Sequence, residues 1–414
     1  MRPNARDDRD SGFDSRSLLA EVQEFYERYP YPRPVDNLDA YQARWQDLSR
    51  RRADFHLFWP ASFYKENHRI LVAGCGTSQA AKHALRWPKA LVTGIDVSAT
   101  SVRCTEGLKH KYGLTNLEVQ QLPIERVGEL GKAFDQIMCT GVLHHLEDPD
   151  AALRALRNVL APAGAMHLML YAPYGRAGVY MLQEFCRLIG VSASDEGIRS
   201  LVAALEELPA KHPLARLLRD APDFRREGAL ADALLHPQDR AYSVPQLFEL
   251  IEGAALRFGR WVRQAPYSAS CGLMARLPQA ARIAASEPQA QAAAAELFRG
   301  TMTTHSVVVH RNDGPAQSIT FSGGAWLDYL PIRLPDTVCI QEKLPPGAAA
   351  VLINRAHTSH DVYLPIDTQE KRLFDSIDGE RSIRDIVGDG DRDLGRALFE
   401  KLWWHDQIVF DASH

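Results

Sequence analysis

Residues 70–78 read ILVAGCGTS, and this stretch decides the fold of the chain around it. Four apolar residues run into a loop with Gly74 and Gly76, which is typical of a buried strand that turns sharply into a helix. Without a Cβ at the glycines, backbone N–H groups can closely approach a ligand. About twenty residues later the apolar run LVTGI ends in Asp96, whose carboxylate can accept hydrogen bonds from a ribose diol. Together the two segments predict a nucleotide-type cofactor site.

The spacing of the small residues separates two kinds of cofactor. A dinucleotide fingerprint, G-x-G-x-x-G, needs glycine at position 79, where this chain has Gln79. The tighter pattern G-x-G-x-G finds the small Ser78 at its third place. An NAD-dependent oxidoreductase is therefore the less favoured alternative, also because no second dinucleotide half follows Tyr171.

With this spacing, ILVAGCGTS resembles motif I of the class I S-adenosylmethionine-dependent methyltransferases. Ala73 stands where many members carry an acid, and Ser78 where most carry glycine. Residues 134–146, FDQIMCTGVLHHL, are similar to the fourth strand and following loop of the same family, FDxIxxxxVLHHL. The resemblance covers residues 70–171, and it implies an α/β fold with a doubly wound Rossmann-like sheet and S-adenosyl-L-methionine as the cofactor.

The resemblance also implies roles for individual residues at the carboxyl ends of the strands. The expected cofactor-binding residues are Ala73, Gly74, Cys75, Gly76, Ser78, Asp96, Val97, Gln121, Leu122 and Thr140. His144 and His145, after the fourth strand, are the candidate catalytic residues, because an imidazole suits the removal of a proton from an acceptor. The structural alternative is that His144 caps the sheet edge and His145 forms hydrogen bonds in the core.

An aromatic and proline-rich run, FYERYPYPRP, occupies residues 25–34. Proline favours extended backbone at the preceding residue, so the side chains would be presented along a stiff segment. Tetratricopeptide-associated methyltransferases carry a similar YPYPR element, which implies a position over the cleft; packing of the tyrosines against the core is the alternative. With residues that follow the fifth strand, the candidate substrate residues are Tyr29, Arg33, Tyr171, Tyr174 and Arg176.

Changes of pattern predict four parts of the chain. They are an N-terminal helical and aromatic arm (1–50, with 1–12 disordered), the methyltransferase domain (51–277), a connector helix (278–300) and a C-terminal α+β domain (301–414). Helical periodicity over 175–236 predicts a helical lid at the carboxyl edge of the sheet, where ligands bind. The strands 261–267 and 270–277 are expected to end the sheet as an antiparallel hairpin.

Residues 361–414 have the pattern of a winged-helix-like unit and weakly resemble PqqD-like domains, which grip a leader peptide. This segment holds thirteen Asp and Glu against seven Lys and Arg, and an acidic surface repels phosphates. We therefore expect a peptide or protein contact rather than nucleic acid. A structural or homodimer-forming role is an equal alternative.

The composition limits the remaining possibilities. The chain has 414 residues, a net charge of −4 and six scattered cysteines without metal-ligand spacing, so we expect reduced thiols and no metal. It contains neither a membrane-spanning stretch nor a signal peptide, which predicts a cytoplasmic protein that does not act in a membrane. The hypothesis is a methyltransferase acting on a peptide, a protein or a specialised small-molecule metabolite; a non-catalytic cofactor-binding scaffold is the rival.

Overall fold

The structure is a computed structural model that describes residues 18–220 and 226–413; the predicted disordered segment 1–12 lies outside the described residues. Within this part of the chain, seven strands form the main sheet: β1 Arg69–Ala73, β2 Leu91–Asp96, β3 Leu117–Gln121, β4 Phe134–Thr140, β5 Leu160–Tyr171, β6 Leu256–Trp261 and β7 Thr304–Arg311. Their order is β3-β2-β1-β4-β5-β7-β6. Strands β1 to β5 pair in parallel, and β7 runs antiparallel between β5 and β6. The predicted Rossmann-like α/β sheet is confirmed.

Helices cover the faces and edges of this sheet. Three precede it, α1 Leu18–Arg28, α2 Asp39–Trp45 and α3 Leu48–Phe58, and three connect its parallel strands, α4 Gln79–Arg86, α5 Ala99–Tyr112 and α6 Pro149–Val159. The segment after β5, which we call the helical insertion (175–236), contains α7 Ala177–Leu188, α8 Asp195–Glu206, α9 Pro213–Asp220 and α10 Glu227–Leu234. Helix α11 Val244–Gly253 follows and leads into β6. No described helix is both long and apolar enough to cross a lipid bilayer.

The apolar strands are buried on both faces, as expected for a parallel sheet between helices. In β1, Leu71 contributes to the core that includes residues of α6 and α11. Its neighbours Ile70 and Val72 point the other way and join the core formed with α3 and α4. Two separate cores therefore hold the sheet rigid, and its carboxyl edge is a fixed platform.

The hairpin predicted over 261–267 and 270–277 is wrong. Strand β6 ends at Trp261, and its antiparallel partner is the distant strand β7. After β6 the chain folds back, so that the Trp261 and Tyr267 rings stack with their centroids 3.7 Å apart. Pro266 lies in that turn and has no N–H to donate to a strand ladder.

The predicted boundaries at 277 and 301 are also wrong, because β7 belongs to the main sheet. The predicted connector helix is two helices, α12 Ala280–Ala284 and α13 Pro288–Arg299, which lie between strands β6 and β7. Pro288 occupies the first turn of α13, where its missing N–H costs nothing. The proline starts a new helix and so interrupts the one that was predicted.

The rest of the chain forms what we call the C-terminal unit (318–413). Its strands and helices are β8 Leu330–Arg333, β9 Thr337–Ile340, β10 Ala350–Asn354, β11 Leu364–Ile366, α14 Thr368–Asp375, α15 Ile383–Val387, α16 Arg392–Trp404 and β12 Ile408–Asp411. They form a sheet of order β11-β10-β9 and a pair, β12-β8, around a core that includes Phe374 and Phe399. The winged-helix likeness stays a prediction.

The C-terminal unit packs closely on the rest of the protein. Ile332 and Val409 join the core formed with α3 and α4. At the same contact the buried Asp411 carboxylate lies 3.3 Å from Nε2 of His56 and 3.9 Å from Arg52, both on α3. Burial opposes ionisation of Asp411, but the neighbouring His56 and the two hydrogen bonds that Ser413 donates outweigh this effect and lower the pKa of Asp411 to about 2.

This contact predicts a pH-dependent contribution to stability. Because the folded pKa of Asp411 lies below the usual value, the stabilisation is complete above about pH 4 and is lost as the pH falls towards 2. We expect Asp411→Asn to lower the free energy of unfolding by about 2 kcal/mol at neutral pH, with the difference from the wild type vanishing near pH 2. Denaturant unfolding at a series of pH values measures it. A gap that stays constant down to pH 2 would contradict the assignment, and the exposed Asp389→Asn serves as the control.

Candidate functional site

The loop after β1 adopts a conformation that requires glycine. Gly74 and Gly76 have φ angles of +69° and +52°, which are strained for residues with a side chain. A Cβ on Gly74 would come within 2.3 Å of the Val142 side chain. On Gly76 it would lie 3.1 Å from Cδ of Pro32, in the aromatic arm. The loop therefore lies tightly between the end of β4 and the N-terminal arm.

The Asp96 carboxylate fixes this loop to the end of β2. Its Oδ2 accepts a hydrogen bond of 2.8 Å from the Gly76 N–H, and its Oδ1 accepts one of 2.9 Å from the Ser98 N–H. Burial raises the pKa of Asp96. Each carboxylate oxygen keeps a lone pair, so Asp96 can hold the loop and accept two further hydrogen bonds from a ligand.

A cavity of about 410 Å³ lies at the carboxyl edge of the sheet, next to this loop. Nine of the predicted site residues line it: Gly74, Gly76, Asp96, Val97, Leu122, Thr140, His145, Tyr171 and Arg176. The elements that contribute them meet at this edge because parallel strands end there together. The structure thus brings the glycine loop, the carboxylate and one imidazole into a single chamber.

Four predicted cofactor residues are not among those that line the cavity. Ala73, Cys75 and Ser78 are fully buried behind the loop, where Cys75 packs beside Gly94 of the next strand. Gln121 instead donates its side-chain amide to the carbonyl of Val97. The side chains of Ala73, Cys75 and Ser78 point into the protein, away from the cavity. Any contribution of these three residues to the site therefore comes through their backbone.

Four other predicted site residues also lie elsewhere. The Tyr29 hydroxyl donates to Asp195 at the start of α8, and the Arg33 and Tyr174 side chains are exposed to solvent away from the cavity lining. His144 is fully buried, and its ring stacks on Tyr171 with the centroids 3.8 Å apart. The burial of His144 agrees with the alternative in which this residue caps the sheet edge. The hydrogen bond of Tyr29 agrees with the alternative in which the tyrosines pack the arm.

His145 is held in one orientation by a backbone carbonyl. Its Nδ1 lies 2.8 Å from the carbonyl oxygen of Gln238, an atom that can only accept a hydrogen bond. The neutral ring therefore carries its proton on Nδ1 and keeps the lone pair on Nε2. The His236 ring packs 4.0 Å from it, and burial lowers the pKa of His236 to about 2, so His236 adds no positive charge beside His145.

The wall next to His145 contains two residues that the sequence analysis did not assign to the site, Tyr26 and Asp232. The Tyr26 hydroxyl, on α1, donates to the Asp232 carboxylate on α10 over 3.0 Å. The Tyr171 hydroxyl donates to the other oxygen of Asp232 over 3.4 Å. Burial raises the pKa of Asp232. In the sequence, Asp232 is a lone carboxylate within the apolar stretch GALADALL, residues 228–235, and this pattern could have identified it as a candidate site residue.

Arg176 closes the same wall from the first turn after β5. Its guanidinium lies over the Tyr171 ring at 3.5 Å from the centroid, and it pairs with the Asp239 carboxylate at 3.2 Å. Both charged side chains are almost completely buried. Such a pair fixes the position of Tyr171 rather than offering a free charge. Within the described residues, no group of three or more His, Cys, Asp or Glu side chains is arranged to hold a metal ion.

Residues 71–166 match the family model of a methyltransferase domain. An uncharacterized protein of Synechococcus sp. is 34% identical over 253 residues, which cover 58% of this chain and 60% of that protein. The tRNA U34 carboxymethyltransferase of Methylococcus capsulatus is 32% identical over 116 residues, or 28% of this chain and 36% of that enzyme. The chain thus spans less than two thirds of the length of the curated relatives it matches.

Among solved structures, PKMT2 from Rickettsia typhi in complex with AdoHcy has a similar fold. The superposition has a TM-score of 0.60 at 15% sequence identity, and it covers 88% of this chain and 75% of that one. The likeness concerns the architecture, and it extends over more of the chain than the family model does.

The contact between Tyr26 and Asp232 predicts how the arm and the helical insertion are held together. Tyr26→Phe removes the donor from a buried carboxylate, which costs about 1–3 kcal/mol. We expect faster hydrogen exchange of the backbone amides in α1 and α10, measured by mass spectrometry. Tyr363→Phe, at a tyrosine that is 43% exposed, is the matched control. Unchanged exchange in both helices would show that the contact does not hold the arm.

Proposed function

Since the chain contains a class I S-adenosylmethionine-dependent methyltransferase domain, we propose that it transfers a methyl group to a peptide, a protein or a specialised-metabolite acceptor. The observation that carries this proposal is the single cavity lined by the glycine loop, Asp96 and His145. These residues combine a place for the cofactor with a group that can accept a proton.

The cofactor of this domain is S-adenosylmethionine, and the chamber has the groups that it requires. Gly74 and Gly76 line the chamber with backbone alone, because a Cβ would collide with Val142 at the first position and crowd Pro32 at the second. Asp96 supplies acceptors for the ribose hydroxyls, and the apolar side chains of Leu122 and Ile124 offer a surface for the adenine. The residues present therefore fit the group.

When bound, S-adenosylmethionine supplies an activated methyl group for in-line displacement, so the protein mainly has to align the acceptor and exclude water. Nε2 of His145 takes the proton from an acceptor that must lose one, while its Nδ1–H stays on the Gln238 carbonyl. Tyr26 and Asp232 close the chamber from the side of the helical insertion. Tyr171, which Arg176 holds in place at the end of β5, lines the chamber and orients the acceptor.

The role of Asp96 predicts a loss of cofactor affinity. Asp96→Ala removes both ribose acceptors and the hydrogen bond to the Gly76 N–H, and each charge-assisted bond is worth about 1.5–3 kcal/mol before compensation. We expect the affinity for S-adenosylmethionine to fall by about a hundredfold or more. Isothermal titration calorimetry measures this, with Asp389→Ala at an exposed site as the control. Equal affinities of Asp96→Ala and the wild type would place the cofactor elsewhere.

The role of His145 predicts a different result, a loss of turnover without a loss of cofactor binding. In His145→Gln we expect the rate of S-adenosylhomocysteine formation to fall by about 10²-fold or more. Metabolite extracts and protein digests, offered with methyl-labelled cofactor, supply the acceptor. The exposed His110→Gln is the matched control.

The same assay separates the enzyme from the non-catalytic scaffold. A scaffold binds S-adenosylmethionine but transfers no label to any acceptor fraction, with or without His145. Transfer that is as fast in His145→Gln as in the wild type would instead show an enzyme that uses no base at this position.

A further inference from the structure

A second cavity, of about 440 Å³, lies on the face of the sheet covered by α3 and α4. Gln79, Thr140 and Met169 line both this cavity and the cofactor chamber. Thr140 and Met169 are register partners at the carboxyl ends of β4 and β5. These three residues therefore form a shared wall between the two cavities, at the carboxyl edge of the sheet.

The second cavity is apolar near the sheet and positively charged along its rim. Leu57, Phe58 and Met138 contribute apolar surface. The charged lining residues are Arg50, Asp54, Arg86, Arg263 and Asp336. Arg86 is already matched, because its guanidinium pairs with Asp54 at 3.0 Å and contacts the Tyr41 hydroxyl.

Arg263 is a partly buried cation whose donors are only partly used. Its Nη1 donates to the neighbouring Val262 carbonyl, and its Nη2 lies 3.7 Å from the Asp336 carboxylate, too far for a hydrogen bond. Its Nε is buried and has no hydrogen-bond partner among the described residues. A buried donor without a partner is costly, so this guanidinium is suited to receive an acceptor from a ligand.

Two imidazoles lie deeper in the same cavity. His83 is 4% exposed and its Nδ1 has no hydrogen-bond partner in the described part of the chain. Nε2 of His167 lies 2.6 Å from the Ser306 hydroxyl. Burial, together with the nearby Arg86 and Arg263, lowers the pKa of His167 to about 4. Because Asp54 already pairs with Arg86, the charge left to attract an anion in this part of the cavity is that of Arg263.

We propose that the second cavity binds the anionic end of the methyl acceptor, and that the acceptor is a small organic carboxylate. The inference rests on the proposed function, because it requires a reacting end at the shared wall. A carboxylate matches the planar donor fork of Arg263, and the apolar side chains around Met138 accommodate the body of the molecule. The methylated atom then lies beside Thr140 and Met169.

This assignment also gives the C-terminal unit a role in recognising the acceptor. Leu334, Pro335 and Asp336 close the second cavity from that side. Their position is fixed by a backbone hydrogen bond from the Leu334 N–H to the Gln407 carbonyl. The C-terminal unit therefore completes the second cavity. The nearby Asp336 carboxylate partly neutralises Arg263 and so weakens its attraction for an anionic ligand.

Benzoate and its neutral isostere benzamide are the probes. Titration calorimetry with the full chain, saturated with S-adenosylhomocysteine, compares the wild type with Arg263→Gln, Arg263→Lys and Asp336→Asn. We expect benzoate to bind the wild type with a Kd in the millimolar range or below, and at least about tenfold more tightly than benzamide. Arg263→Gln should abolish that preference, Arg263→Lys should restore part of it, and Asp336→Asn should tighten benzoate. Arg126→Gln, at an exposed arginine, should change nothing.

Three results would overturn the assignment: equal affinities for benzoate and benzamide, no binding of benzoate at about 10 mM, or full benzoate affinity in Arg263→Gln. The melting temperature of each variant shows that it is folded. S-adenosylhomocysteine is titrated in the same samples. If the wild type binds S-adenosylhomocysteine tightly but does not prefer benzoate to benzamide, only this inference is contradicted. If the wild type does not bind S-adenosylhomocysteine, the proposed function is contradicted.

Discussion

The hydrogen bond from the Gly76 N–H to the Asp96 carboxylate is the contact on which the site depends. It joins the loop after β1 to the end of β2, and the N–H groups of Gly74 and Cys75 reinforce it by donating to the Ile95 carbonyl. The loop can adopt this path only because positions 74 and 76 have no side chain. With the loop fixed, the remaining lone pairs of Asp96 are held in the chamber in a set orientation, which is what binding without reorganisation requires.

Contacts between distant parts of the chain then hold together the elements around the two cavities. Asp232 connects the arm to the helical insertion through Tyr26. On the other side, the fully buried Asp406 accepts hydrogen bonds from the Gln264 and Ala265 N–H groups and lies 2.9 Å from Nε2 of His357. It thereby fixes the C-terminal unit to the chain just after β6, close to Arg263. Both carboxylates are buried and accept hydrogen bonds on both oxygens, so each specifies one relative position of the elements it joins.

Local patterns in the sequence were sufficient to predict β1 and β2, because strand, glycine loop and Asp96 follow one another closely, and the resemblance over residues 134–146 indicated β4. Local patterns failed to predict that β7 belongs to the sheet. Between the end of β6 at Trp261 and the start of β7 at Thr304 lie 42 residues, and no local signal indicates which distant strand closes a sheet. The candidate site follows the local sequence pattern at the ends of β1 and β2, where the structure places Gly74 and Asp96 in the chamber lining. It was missed where side chains from the helical insertion reach across, as at Asp232, and was misplaced at Tyr29, which packs against α8.

A crystal structure of the full chain with S-adenosylhomocysteine tests the central claim most directly. The account predicts that the ligand occupies the chamber of about 410 Å³, with its ribose hydroxyls on the Asp96 carboxylate and its sulfur facing the shared wall at Thr140 and Met169. A ligand bound outside that chamber, or a ribose without contact to Asp96, would contradict it.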